Sequence, residues 1–126
     1  MSNFLPNICQ AEIVRVIDGD TYVAELNDKP YIIRVLGIDC FETRYSTKLR
    51  TQAQKHGLPL VTALQKGRGA RNFAENVLLN TTVTLTRPEG SPDNDQFFRF
   101  LRRVEFLWNN VPTDVAQLLT QRGHAA

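Results

Sequence analysis

Hydrophobic and polar positions in the first forty residues follow a pattern that predicts three consecutive antiparallel strands. Apolar residues are frequent and mildly alternating over 8–16, and β-branched and aromatic residues dominate 21–26 and 31–38. Asp18-Gly19-Asp20 and Asn27-Asp28-Lys29-Pro30 separate these runs and are turn signals. Because each connection is short, the pattern predicts a meander.

The middle of the chain has a weaker pattern. Residues 44–66 show no clear period and contain Gly57 and Pro59, so we predict a long loop that holds at most a short helical piece. Over 69–79, Phe73, Val77 and Ala70 recur with helical spacing, which predicts a helix.

The last third predicts two further strands and a final helix. The strands cover 81–86 and 97–108, and Asn109-Asn110 turns the chain after the second of them. Thr113 or Asp114 is a candidate N-cap of the final helix, and Gly123 is a candidate end. Its apolar face is expected to consist of Val115, Leu118 and Leu119.

This order of elements predicts a mainly β fold with helices, of the α+β class. Five strands with a helix after the third suit a closed Greek-key barrel of the oligonucleotide-binding type, here with two or three helices. At 126 residues, of which 42% are hydrophobic and 22% charged, residues 1–126 are expected to form a single domain.

Several classes of protein are not favoured by the sequence. No apolar run is long enough to span a bilayer, and the first residues lack the pattern of a signal peptide. We therefore expect no membrane partner, and either a cytoplasmic protein or an exported one whose leader is left out. Cys9 and Cys40 have no spacing typical of a zinc site, so two free thiols are expected.

Basic residues are concentrated in one segment. Residues 43–74 hold seven of the 15 lysines and arginines and none of the 13 acidic residues. Such a segment on an otherwise acidic chain is typical of a patch that binds a polyanion, although charge alone slightly favours a solvated loop.

Carboxylates lie at the ends of neighbouring predicted strands. Asp20 precedes the second strand and Asp39 follows the third, so one barrel mouth is expected to receive both. Two carboxylates with backbone carbonyls and water form a calcium-type site, and magnesium accepts the same ligands. The alternative is that both aspartates serve only turn chemistry through bonds to the backbone.

Glu42 and two arginines extend this candidate site. Glu42 is placed to accept a proton from water, or simply to begin a turn or helix. Arg34 lies in an apolar strand and is expected at the barrel mouth, where it binds a phosphate or forms a structural ion pair with Asp18 or Glu42. Arg99, in an aromatic run, has the same two interpretations.

Taken together, three segments resemble the thermonuclease (staphylococcal nuclease-like) family. The resemblance covers the chain from about Ala11 to Gly123. The first two segments are specific in order and spacing, and the third is degenerate. The segments are Val16-Ile17-Asp18-Gly19-Asp20-Thr21, Arg34 to Thr43, and Asp95-Gln96-Phe97-Phe98-Arg99.

The resemblance implies an oligonucleotide-binding barrel that is a calcium-dependent phosphodiesterase or endonuclease acting on DNA and RNA with little sequence specificity. It implies a monomer whose partners are single-stranded or locally melted DNA and RNA. The alternative is a non-catalytic nucleic-acid-binding barrel of the same fold. By position, the implied calcium ligands are Asp20, Asp39 and the backbone carbonyl of Cys40, with Asp18 just outside them. Glu42 is implied near the attacking water, and Arg34 and Arg99 at the scissile phosphate.

The chain departs from the family pattern at several places. Phe41 stands where the family has proline, and Gln96, Phe97 and Phe98 stand where it has a basic residue, a tyrosine and a glycine. These changes predict weaker binding of a neighbouring phosphate and less backbone freedom beside Arg99. The segment after Glu42 is longer than in the family, and we interpret it as a flap over the substrate groove.

Overall fold

The computed structural model describes residues 4–126. Within that range it contains six strands and three helices. The strands are β1 (Ile8–Asp18), β2 (Thr21–Leu26), β3 (Lys29–Val35), β4 (Thr82–Thr86), β5 (Phe100–Trp108) and β6 (Val111–Asp114). The helices are α1 (Thr47–Lys55), α2 (Leu60–Leu78) and α3 (Val115–Gln121).

Five of the strands close into a barrel of mixed strand direction. The hydrogen-bonded order around it is β1, β2, β3, β5, β4 and back to β1. Every pairing is antiparallel except that of β3 with β5, in which Arg34 lies opposite Leu101. β6 pairs only with β5, outside the closed barrel. The α+β prediction of a five-stranded barrel of the oligonucleotide-binding type with three helices is confirmed.

The strand boundaries differ from those predicted at their ends. β3 stops at Val35, and Gly37 follows with a φ of 93°. β5 begins at Phe100, three residues after the predicted start, because Phe98 turns the chain with a φ of 63°. The expected turn at Asn27 is present, and it is a tight one with positive φ values at residues 27 and 28.

The predicted long loop over 44–66 is wrong, because α1 and most of the first half of α2 occupy it. α1 is capped by Ser46, whose side chain accepts a hydrogen bond from the Leu49 N–H. α2 is also longer than the helix predicted over 69–79. Of the predicted interior positions, Ala70 is fully buried, whereas Phe73 and Val77 are only partly buried. The fully buried face of α2 is made instead of small residues and two leucines, at Ala63, Leu64, Gly67, Ala70, Ala74 and Leu78.

The main core fills the barrel and extends below α2 and α3, and a second, smaller cluster lies under α1. One cation is also fully buried. Arg102, on β5, donates to the Asp93 carboxylate at 2.8 Å and to the Leu5 carbonyl at 3.1 Å. α3 is capped by Asp114, as predicted. None of the helices within residues 4–126 has the length and hydropathy required to cross a bilayer.

Candidate functional site

The turn after β1 and the segment after β3 bring the two predicted aspartates together. Asp20 is 3% exposed, and its Oδ2 accepts a hydrogen bond from the Cys40 N–H at 2.8 Å. Its backbone carbonyl accepts another from the Val35 N–H. Asp20 is therefore fixed against the chain next to Asp39, at one mouth of the barrel.

Arg34 reaches both aspartates. Its Nη2 lies 3.1 Å from Asp39 Oδ1 and 3.4 Å from Asp20 Oδ2, while its Nη1 donates to the carbonyls of Val35 and Ile38. The prediction that Arg34 points into the barrel mouth is confirmed by this geometry. Its ion-pair partners differ from the two that we considered, Asp18 and Glu42.

The Asp39 carboxylate accepts hydrogen bonds from three side chains. Oδ1 accepts from Arg34 and from the Lys48 ammonium at 3.1 Å, and Oδ2 accepts from the Gln52 amide at 3.1 Å. Burial by itself raises the pKa of Asp39, but the hydrogen bonds from Lys48 and Gln52 and the charges of Lys48 and Arg34 outweigh it. The net pKa is below the usual value, so Asp39 is ionised at neutral pH.

Lys48 and Gln52 are site residues that the sequence reasoning missed. They lie four positions apart on α1, and so on one face of that helix. Gln52 is 5% exposed; its amide also donates to the Cys40 carbonyl at 2.9 Å, and its Oε1 accepts from the Glu42 N–H at 3.0 Å. One buried side chain thus binds the carboxylate of Asp39 and the backbone of Cys40 and Glu42. The Ser46 cap was the signal that could have located this helix.

Replacing Gln52 with leucine is expected to lower the free energy of unfolding by about 3 kcal/mol, because the Glu42 N–H, the Cys40 carbonyl and an Asp39 oxygen lose a buried partner. Urea denaturation measures the change. Gln54→Leu is the matched control on the same helix; Gln54 is exposed, and its replacement is expected to change stability by less than about 0.5 kcal/mol. Equal small losses in both variants would contradict the role of Gln52.

Glu42 faces the same cluster, and its carboxylate has fewer partners than that of Asp39. Within residues 4–126 its side chain makes no hydrogen bond, and its nearest cation is Lys48, at 3.8 Å. Burial raises its pKa, Lys48 opposes that rise, and the carboxylates of Asp18, Asp20 and Asp39 add to it. A carboxylate with a raised pKa is a better proton acceptor near neutral pH than an ordinary one.

Asp18 is close to the other acids but is held separately. Its Oδ1 accepts a hydrogen bond of 2.5 Å from the Thr43 hydroxyl. This contact ties the end of β1 to the segment that follows Glu42. Asp18 has no ion pair with Arg34, and its place as an acid outside the ligand set stays a prediction.

Arg99 lies in a shallow cleft with Arg34. The cleft, of about 250 Å³, is lined by both arginines and by Asp95. Asp95 Oδ2 accepts from Arg99 Nε at 2.7 Å, and its Oδ1 accepts from the Phe97 and Arg99 N–H groups. Phe98, where we expected lost backbone freedom, has a left-handed φ and is 80% exposed. A non-glycine residue is disfavoured in that region, so the loop carrying Arg99 holds some strain.

The charge and the free lone pairs of the cluster fit a hard cation. Burial is the largest effect on Asp20 and raises its pKa, while Arg34 and the Cys40 N–H oppose it. Counted by ion pairs within residues 4–126, the four carboxylates of Asp18, Asp20, Asp39 and Glu42 have two cationic partners, Arg34 and Lys48, which leaves an excess of two negative charges. Such an excess favours a divalent ion.

Three oxygen atoms of the cluster could bind such an ion directly. Asp20 Oδ1, Asp39 Oδ2 and the Cys40 carbonyl each accept one hydrogen bond, from Thr21 or Gln52, and each keeps a second lone pair. No group of three or more His, Cys, Asp or Glu side chains is placed to hold a metal in residues 4–126. Backbone carbonyl and water would therefore supply the remaining ligands, as calcium permits.

The thiol of Cys40 takes no part in this set. Both cysteines are free, as predicted, and Cys40 is fully buried. Burial and the Asp20 carboxylate raise the pKa of the Cys40 thiol far above its usual value, so the thiol stays protonated. Only the backbone of this residue is available for ligation.

A glycine of α2 lets the helix approach the site, and the sequence reasoning missed it. A Cβ at Gly67 would lie 2.1 Å from the Glu42 carbonyl oxygen and 2.8 Å from that of Phe41. The helix and the segment carrying Glu42 are therefore in backbone contact. A glycine inside a helical pattern is a recognised sign of such close packing.

The fold and the cluster define a small oligonucleotide-binding-type barrel with a site of carboxylates and guanidinium groups at one mouth. No protein-family model matches the chain. Over 117 residues it is 28% identical to the uncharacterized protein MJ1439 of Methanocaldococcus jannaschii. That match covers 90% of the chain and 56% of the archaeal protein, so the chain spans little more than half of its relative.

Proposed function

We propose that this chain is a calcium-dependent nuclease that hydrolyses phosphodiester bonds of single-stranded or locally melted DNA and RNA with little sequence preference. The observation that carries the proposal is the convergence of Arg34 on Asp20 and Asp39 at the barrel mouth, beside a cleft shared with Arg99. A binding surface alone has no need of acids next to the groups that bind a phosphate.

The two arginines supply the phosphate contacts in this proposal. A guanidinium donates two parallel hydrogen bonds to phosphate oxygens, and it stabilises the charge that grows on them as the nucleophile attacks. Nη1 of Arg34 is held by two backbone carbonyls and Nε of Arg99 by Asp95, so both groups are fixed before the substrate arrives. Nη1 and Nη2 of Arg99 make no hydrogen bond in residues 4–126, whereas Nη2 of Arg34 must exchange an aspartate for a phosphate oxygen.

Glu42 supplies the base. Its carboxylate has no hydrogen bond within the described residues and its pKa is raised, so it is suited to take a proton from water as the water oxygen attacks phosphorus. The bond from phosphorus to the leaving oxygen breaks in the same displacement. Lys48, 3.8 Å from Glu42, favours its ionised form.

Asp20, Asp39 and the Cys40 carbonyl are the groups that would hold calcium. When bound there, the ion supplies Lewis-acid polarisation of a phosphate oxygen and neutralises part of the charge of the transition state. Asp39 and Asp20 are kept in position by Arg34, Gln52 and the Cys40 N–H.

One observation favours the second candidate, a non-catalytic nucleic-acid-binding barrel. The Lys48 ammonium lies 3.1 Å from Asp39 and 3.8 Å from Glu42, and so already provides a cation between two of the acids. A lysine in that place offsets carboxylate repulsion without any metal. Lys48 is 46% exposed, however, and its long side chain is free to leave the cluster when a divalent ion enters.

Digestion of single-stranded DNA and RNA with calcium, with magnesium and with a chelator tests the proposal. We expect cleavage with calcium that the chelator removes, because the cluster has an excess of two negative charges and unused oxygen lone pairs. Strand binding without cleavage in any of the three conditions would favour the non-catalytic barrel. Absence of both binding and cleavage would contradict both candidates.

A further inference from the structure

A second and larger cleft lies on the other side of Glu42, and neither the proposed chemistry nor the family resemblance uses it. Its volume is about 500 Å³. We call it the arginine cleft, because three arginines line it together with one aromatic residue and two acids. These lining residues are Arg15, Arg44, Arg71, Tyr45, Asp18 and Glu42.

The three arginines come from separate parts of the fold. Arg15 lies on β1, Arg44 in the segment between Glu42 and α1, and Arg71 on α2. None of them forms an ion pair with a carboxylate in the part of the chain that the structure describes. Each guanidinium therefore keeps its donors for a ligand, and the planar fork of arginine matches phosphate oxygens.

The two acids of the cleft are already engaged. Asp18 accepts the Thr43 hydroxyl, and Glu42 lies 3.8 Å from Lys48. Counted formally, three guanidinium groups against two carboxylates leave one net positive charge in the cleft. The cleft therefore favours an anion.

Contacts lead continuously from this cleft to the cleft that holds Arg34 and Arg99. Glu42 lies beside Lys48, Lys48 donates to Asp39, and Asp39 accepts from Arg34. The candidate reaction centre is thus bordered by arginines on both sides. A polyanionic chain that crosses the centre meets both clefts.

Tyr45 adds an aromatic surface to the wall of the arginine cleft. It is 61% exposed, so its ring is accessible from solvent. An exposed ring beside unpaired guanidinium groups is the combination on which single-stranded bases stack while their phosphates are bound.

We infer that the arginine cleft binds the sugar–phosphate backbone of a single strand on one side of the scissile phosphate, with a base stacked on Tyr45. This inference rests on the proposed function for its substrate class. It adds a second binding region outside the reacting centre. This region raises the affinity for longer strands and does not distinguish base sequences.

Binding of a fluorescent strand of about 12 nucleotides, measured by anisotropy in chelator at several salt concentrations, tests the inference. In the cleft variant, Arg15, Arg44 and Arg71 are changed to alanine. In the control variant, three exposed residues of the same total charge that do not line the cleft are changed to alanine, namely Arg50 and Lys55 on α1 and Arg68 on α2. We expect the cleft variant to weaken binding at least about tenfold and to reduce the salt slope by about two. The affinity of the control variant is expected to fall by less than about threefold.

Several results would overturn the inference. Equal losses in the cleft and control variants mean that general surface charge, and not the cleft, binds the strand. Competition by polyglutamate as effective as that by unlabelled DNA means that the surface recognises acidic proteins. If Arg71→Ala prevents folding, the double variant of the exposed Arg15 and Arg44 gives the same comparison.

Tyr45 provides an independent measurement. Tyr45→Ala is expected to weaken binding about tenfold through lost stacking, and Tyr45→Phe to leave it unchanged because stacking needs only the ring. Equal losses in both would contradict a stacking role.

Failure of this inference is distinguishable from failure of the proposed function. A protein that cleaves, with the cleft variant matching the control, loses only the inference. A protein that binds strands through the cleft without cleaving any retains the inference and loses the nuclease.

Discussion

Replacing Arg34 with alanine is expected to slow phosphodiester cleavage about a thousandfold, because the loss of a fixed charged donor to the transition state has an effect of that order. The same change leaves Asp20, which is buried and has a raised pKa, without its nearest cation. It also leaves the Val35 and Ile38 carbonyls without their guanidinium donor. Single-turnover cleavage rates and thermal unfolding of the same preparations separate the loss of chemistry from the loss of stability.

Arg99 and Arg103 make this comparison sharper. Arg99→Ala is expected to lose about a hundredfold in rate with little change in stability, since its side chain contacts the partly exposed Asp95 and the ring of the exposed Phe97. Arg103, four positions along the chain, is 56% exposed and pairs weakly with Asp114 at 3.8 Å. Arg103→Ala is therefore the matched control, and its rate is expected to stay within about twofold of the unchanged protein. Unchanged rates in both the Arg34 and Arg99 variants would contradict the assigned phosphate contacts.

Replacing Gly67 with alanine is expected to lower the free energy of unfolding by about 3 kcal/mol. The new Cβ would lie 2.1 Å from the Glu42 carbonyl oxygen, and because that neighbour is backbone it moves only with its whole segment. The displaced segment carries Glu42 and lies next to Gln52, so cleavage is expected to fall together with stability. Urea denaturation and the cleavage rate measure the two effects.

Gly69 is a matched control on the same helix. A Cβ there has nothing within 4 Å, so Gly69→Ala is expected to raise the free energy of unfolding by about 0.5 to 1 kcal/mol through better helix propensity. A loss of unfolding free energy in Gly67→Ala and a gain in Gly69→Ala would establish that α2 closely approaches the segment carrying Glu42. A similar gain in both variants would contradict it.

The five barrel strands were predictable from the sequence, but β6 and the first helix were not, and for the helix the reason lies in its interior face. The strand with Ile33 and Val35 is rich in β-branched residues, which favour strands whatever their burial. In α1 one of the three buried positions is Gln52, a polar residue that is buried because it binds the backbone of the site. In α2 the buried face consists largely of alanine and glycine, which contribute little to a hydrophobic pattern. The helices that support the site therefore carry the weakest signals.

The candidate site was predictable only in part. Asp20, Arg34 and Asp39 lie at strand ends, and antiparallel pairing of neighbouring strands is sufficient to bring such positions to one mouth. Lys48 and Gln52 reach the same place from a helix whose docking depends on tertiary packing, which no local pattern contains. The family resemblance named the first group of residues and gave no indication of the second. The nuclease function itself stays a prediction.

The parallel pairing of β3 with β5 has a consequence for how the protein folds. Hairpins such as β1–β2 and β2–β3 join residues close in the chain, whereas Arg34 and Leu101 are separated in the chain by α1, α2 and β4. Loop-closure entropy makes such a long-range contact slow to form, so we expect it late in folding. Arg34 and Arg99 come to share a cleft only at that step. In a refolding experiment, binding of a nucleic-acid strand would thus be detected only after the barrel has closed. Far-ultraviolet circular dichroism would report the earlier formation of secondary structure.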